Sequence, residues 1–140
     1  MVLADTSAWI WSRRREHIEL RAWFDALLVE GRIATCDVVR LELLYGTRSG
    51  EEHDQRRLEL AALVTCPIGP GEWERAVDTQ NRLAHLGADH AKVAKWQDIV
   101  VAAAAESAGI AVLHYDEDFE WIERVTAQPT QWLAAKGSLG

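Results

Sequence analysis

Two rhythms alternate along the chain. Short apolar runs closed by turn-forming residues are followed by stretches in which apolar residues recur every three or four positions. Val2-Leu3-Ala4 is the first run; Asp5, Thr6 and Ser7 break it, and Ala8-Trp9-Ile10-Trp11 resume it. This pattern predicts a buried strand leading into a helix, with Thr6 and Ser7 available as helix caps. Leu20, Trp23, Phe24, Leu27 and Leu28 keep helical spacing up to Gly31, and residues 32–35 form a short second strand. Val38, Val39, Leu41, Leu44 and Tyr45 describe another helix, closed by Gly46.

Residues 50–63 carry mixed charge and read as an exposed amphipathic helix. Residues 63–66 read as a third strand, stopped by Pro67 and Pro70. A long helix from Gly71 presents Trp73, Ala76, Val77, Gln80, Leu83 and Ala84 on one face and ends near Gly87. A loop at 88–95 contains His90. From Asp98 to Gly109 a helix of small apolar residues is apolar on nearly all sides, which places it in the core against a sheet. Residues 110–113 form a further buried strand running into Asp116 and Asp118. A short helix at 120–122, an edge strand at 124–126 and a tail without strong pattern complete the reading. Strands alternating with helices predict an α/β fold, a three-layer α/β/α sandwich with a mostly parallel central sheet, in a single domain spanning 1–140.

A chain of 140 residues is long enough to bury a real core. The longest apolar candidate for a membrane span, 99–113, is interrupted by Glu106, Ser107 and Gly109, and Asp5 interrupts the start as a secretory signal. Two cysteines, Cys36 and Cys66, lack metal-motif spacing and fit free thiols in a cytoplasmic protein. The net charge of −7 argues against a protein that coats nucleic acid through a basic surface. It does not exclude a nuclease, because carboxylates that hold divalent ions are neutralised when loaded. The seven tryptophans read mostly as core, with Trp9, Trp11 or Trp132 as candidate interface anchors.

Four acids hold suggestive places: Asp5 after the first strand, Glu42 within a helix, Asp98 at a helix start and Asp116 after a later strand. In open parallel sheets, ligands sit beyond the carboxyl ends of the strands. Three of them also have a plainer reading: Asp5 and Asp98 as helix caps, Glu42 as a solvated side chain. If the four converge, two unit charges about 5 Å apart repel by roughly 3 kcal/mol at an effective dielectric near 20. Protonation or a divalent cation must then relieve them, and all-oxygen ligation suits magnesium or manganese. Arg13-Arg14-Arg15 reads either as a solvated turn or as a phosphate-contacting patch.

The ordered segments Leu3-Ala-Asp5-Thr-Ser-Ala-Trp9, Leu41-Glu42-Leu-Leu-Tyr-Gly46, Asp98-Ile-Val-Val-Ala-Ala-Ala104 and Leu113-His-Tyr-Asp116-Glu-Asp118-Phe119 resemble the signatures of PIN-domain ribonucleases, and more narrowly of VapC-type toxins. The resemblance spans residues 3 to about 122. It implies a magnesium- or manganese-dependent endoribonuclease that cuts structured RNA and often dimerises. It also implies inhibition by a small VapB-type antitoxin whose C-terminal segment blocks the site. Asp5, Glu42, Asp98 and Asp116 would then be the catalytic and metal-site acids, with Asp118 an outer or alternative member. The family often has Thr where this chain has His114; contact with phosphate, an altered metal preference or no role at all are open to that histidine.

Other chemistries fit less well. A dehalogenase-like phosphatase needs a second Asp where Ser7 stands. A receiver domain expects paired early acids and a late Lys after a strand. Ser7 lacks the Gly-x-Ser-x-Gly setting of a hydrolase nucleophile. The rival of a different class is a non-catalytic α/β binding module whose acids are caps and surface charges.

Overall fold

The computed structural model describes residues 1–86 and 94–140. Five strands form one all-parallel sheet in the order β3-β2-β1-β4-β5: β1 (Val2–Ala4), β2 (Ile33–Thr35), β3 (Val64–Thr65), β4 (Ala111–His114) and β5 (Thr130–Trp132). Among the described residues, seven helices cover it: α1 (Thr6–Ser12), α2 (Ile18–Val29), α3 (Asp37–Tyr45), α4 (Gly50–Ala61), α5 (Pro70–Ala84), α6 (Trp96–Ala108) and α7 (Asp118–Thr126). The architecture is the predicted three-layer α/β/α sandwich. No helix among the described residues is long and apolar enough to cross a membrane.

β1 is the hinge of the topology. It pairs with β2 on one side, Leu3 opposite Ala34, and with β4 on the other, Ala4 opposite Leu113. The chain builds outward from β1 through β2 and β3, then returns to add β4 and β5 on the far side. The connections leaving β1 and β4 therefore diverge, and a crevice opens at their carboxyl ends.

α6 fills the space beside β4. Asp98 through Ala105 are all buried, and the run Ala102–Ala105 lets neighbouring elements approach its backbone. Arg75 of α5 clamps the pair by donating to both oxygens of Glu106, at 2.7 and 3.2 Å. Gly109 ends α6 at φ 71°, a left-handed cap that a residue without Cβ adopts freely.

Three expectations are corrected. The segment 124–126 is the last turn of α7, not an edge strand: Phe119, Ile122 and Val125 share one face, and Thr126 donates to the Ile122 carbonyl at 2.7 Å. The fifth strand lies further on, in the tail, where Val112 donates to the Pro129 carbonyl and Leu133 to that of His114. The tryptophans are mostly not core: Trp9 alone is buried, while Trp23, Trp73 and Trp96 are exposed. α5 stops at Ala84, and the expected end near Gly87 and the loop with His90 lie outside the described residues.

Ala127 caps α7 at φ 62°, where a Cβ is strained. Ala127→Gly should stabilise the fold by up to about 1 kcal/mol and raise the melting temperature by about 2–4 °C in a calorimetric scan.

Candidate metal centre

Each turn at the crevice is fixed locally before it joins its neighbour. Asp5 leaves β1 and caps α1, its Oδ2 accepting from the Ser7 backbone at 3.0 Å and from Ser7 Oγ at 2.7 Å. The cap reading of Asp5 is thus correct, but it occupies one oxygen only: Oδ1 is buried without a hydrogen-bond partner. Ser7 Oγ also accepts from the Tyr115 backbone at 2.9 Å, so the turns after β1 and β4 are tied by one hydroxyl. Thr6 Oγ1 donates to Glu42 at 2.9 Å, drawing the α3 carboxylate toward the same turn rather than into water.

The second half of the centre comes from β4 and α6. His114 is wholly buried between Phe119 and Trp132, and its Nδ1 accepts the Asp116 backbone N–H at 3.2 Å. Burial pushes its pKa down to about 4, so the ring is neutral and shapes the turn. It faces no solvent from which a phosphate could reach it. Asp116 Oδ1 accepts the Asp118 N–H at 2.9 Å, and Asp118 Oδ2 accepts the Lys95 N–H at 3.2 Å. Asp98 sits in the first turn of α6, 5% exposed, with Oδ2 lacking a partner.

Asp98, Asp116 and Asp118 each present an oxygen within 4.8 Å of the others. Asp118, expected as an outer or alternative member, is inside this cluster. Asp5 and Glu42 stand beside it: Asp5 raises the Asp98 pKa, and Glu42 that of Asp5, by charge repulsion. Burial is the larger cause in both cases. It lifts Asp5 to about 6 and, with Asp5, Asp118 and Asp116 nearby, holds Asp98 far above its ordinary 3.8. Oxygens on opposite sides of a magnesium ion stand about 4.2 Å apart, so oxygens within 4.8 Å of one another need draw in by only a few tenths of an ångström to share one. The donor set, its spacing and the two partnerless buried oxygens therefore suit a divalent cation.

The arginines divide. Arg13 is paired with Asp25 and lies over Trp9 and Phe24, linking α1 to α2. Arg14 stacks on Trp11 at 3.8 Å, and Trp11 packs on Tyr115, the neighbour of Asp116; Arg14 and Arg15 are exposed. Sequence reasoning missed Ser7 as the tie between turns and Lys95 as a cation beside the acids, with Nζ 3.6 Å from Asp116 Oδ2. The signals were the Asp-x-Ser spacing of a capped turn and a lysine three residues before Asp98.

A carboxyl whose folded pKa lies above its unfolded value favours folding only while protonated, so its contribution fades as pH rises past the unfolded value toward the folded one. For Asp5 that window runs from 3.8 to about 6 and amounts to about 3 kcal/mol. In chelator, Asp98→Asn should be more stable than the parent, by a margin that widens between pH 5 and pH 8 in urea melts. Manganese at about 100 times its dissociation constant should add about 2.7 kcal/mol to the parent and far less to the variant.

The sequence model of the PIN domain matches residues 2–125. Ribonuclease VapC18 of Mycobacterium tuberculosis is 41% identical over 135 residues, covering 96% of each chain. Two solved structures share the fold at lower identity. One is the DNA-bound VapBC of Salmonella typhimurium, with a TM-score of 0.70, 16% identity and coverage of 96% of this chain and 100% of that one. The other is VapBC-5 of Mycobacterium tuberculosis, a member of the VapBC family of toxin–antitoxin systems, with a TM-score of 0.58, 21% identity and coverage of 94% and 95%. An acid centre at the β1/β4 crevice, a family match over most of the chain and a relative at this identity lead to one assignment: the chain belongs to the PIN-domain family, among the relatives of the VapC ribonucleases.

Proposed function

We propose that the protein is an endoribonuclease that hydrolyses RNA phosphodiester bonds with magnesium or manganese, and that it is the cytoplasmic toxin of a pair restrained by a VapB-type antitoxin. The observation that carries this reading is the buried acid cluster with partnerless oxygens on Asp5 and Asp98. The kinship with VapC ribonucleases and with toxin–antitoxin structures supports it. A non-catalytic binding module, whose acids are caps and surface charges, leaves those two buried oxygens without a purpose.

Asp98, Asp116 and Asp118 would hold the ion, with Asp5 completing its surroundings through Oδ1. When bound, the ion supplies Lewis-acid stabilisation of the charge that builds on the phosphate oxygens. Ser7 fixes the Asp5 rotamer, and His114 and the Asp118 backbone fix the Asp116 turn, so the acids need little reorganisation. Glu42, outside the three-acid cluster and anchored by Thr6, is left to take a proton from the attacking water. Arg14 and Arg15 would meet flanking phosphates, whereas Arg13 is committed to Asp25. Exposed apolar side chains such as Tyr45 and Leu41 leave surface for a homodimer or for the antitoxin.

Purified protein freed of antitoxin and incubated with total RNA should yield discrete fragments with magnesium or manganese and none with chelator. Asp98→Asn should lower the rate by about 100-fold or more while remaining folded. Metal-independent cleavage, or full activity in the variant, would refute this mechanism. The double variant Arg14→Ala, Arg15→Ala should weaken RNA binding and lower the slope of log affinity against log salt by about 1.4, roughly 0.7 per single-strand phosphate contact. An unchanged slope returns these residues to a solvated turn.

A further inference from the structure

Among the described residues, the five acids of the centre make one ion pair, between Asp116 and Lys95. The two ends of Lys95 are held differently. Its backbone N–H is fixed on Asp118 Oδ2, while its side chain is 65% exposed and reaches Asp116 Oδ2 at 3.6 Å from the solvent side. A divalent cation entering the Asp98–Asp116–Asp118 cluster thus meets a positive charge already resting on one of its ligands. An ammonium on a flexible four-carbon stem can leave Asp116 without disturbing the fold. Its backbone anchor keeps it at the edge of the cluster, with its side chain exposed to solvent.

We propose that Lys95 is a phosphate-binding residue of this centre, exchanged from Asp116 to a non-bridging oxygen of the RNA phosphate when a divalent cation takes that carboxylate. One tethered charge thereby sets metal affinity and receives the substrate. The assignment rests on the nuclease reading and adds to it a residue outside the acids. It requires that metal and RNA affinities move in opposite directions when Lys95 is removed; a lysine that merely supported the fold would weaken both.

Metal-free parent, Lys95→Ala and Lys95→Arg proteins are titrated with manganese by calorimetry. Each loaded form is then titrated with a 2′-O-methyl RNA oligonucleotide over a range of salt. Lys95→Ala should bind manganese about threefold or more tightly, because a like charge is gone. It should bind RNA about tenfold more weakly and lose about 0.7 from the salt slope, while Lys95→Arg stays near the parent on both counts. Unchanged or weakened manganese affinity in Lys95→Ala overturns the assignment whether or not the parent binds RNA. Unchanged RNA affinity and slope overturn it as well. A parent that binds no RNA, with manganese affinity still raised by Lys95→Ala, refutes the nuclease reading and the phosphate role together.

Discussion

Carboxyl groups crowded into a largely buried crevice are the constraint around which this molecule is arranged. The sheet reverses its building direction at β1, and the strands on either side of that reversal, β1 and β4, end in Asp5 and in the turn bearing Asp116 and Asp118. α6 enters the same crevice with Asp98 in its first turn, where the helix dipole offers some relief. Burial and mutual repulsion together push the proton affinities of Asp5 and Asp98 upward. A fold that keeps such a cluster gives up stability for it. A divalent cation would recover that loss, which is the physical ground for the proposed metal centre.

Holding the acids in place falls to residues without charge. Ser7 touches both turns with one hydroxyl, and Thr6 steers Glu42. His114, neutral in its aromatic sandwich, accepts the backbone of Asp116. The core behind them is small and close: α6 presents alanines, and the Trp9–Phe24 edge contact at 5.0 Å, overlaid by Arg13, closes the opposite flank. Chemistry and packing are thus separated by one layer of hydroxyls and backbone amides.

Much of this is legible in the sequence, for physical reasons. The runs at β1, β2 and β4 are buried on both faces, so they stand out as apolar stretches between turn residues, and α6 shows itself by being apolar all round. Asp5, Glu42, Asp98 and Asp116 can be singled out because each interrupts such a pattern. What escaped lacks a periodic signal. β5 is three residues long and is made by backbone pairing with β4, while the β-branched Val125-Thr126 imitate a strand inside α7. The tryptophans mislead because bulk alone predicts burial; Trp73 and Trp96 instead lie against each other at the surface, 6.4 Å apart. Lys95 escaped because its partners, Asp116 in the turn after β4 and Asp118 at the start of α7, lie more than twenty residues further along the chain.

A carboxyl carbon NMR titration of the folded protein, recorded in chelator and again with magnesium, reads the state of these acids directly. In chelator, Asp5 and Asp98 should titrate well above the ordinary 3.8, and magnesium should draw both titrations back down, leaving Asp98 ionised at neutral pH. Carboxyls that all titrate in the ordinary range and do not respond to magnesium would mean that the acids are independent caps and surface charges, and the account of the crevice as a metal centre would fail.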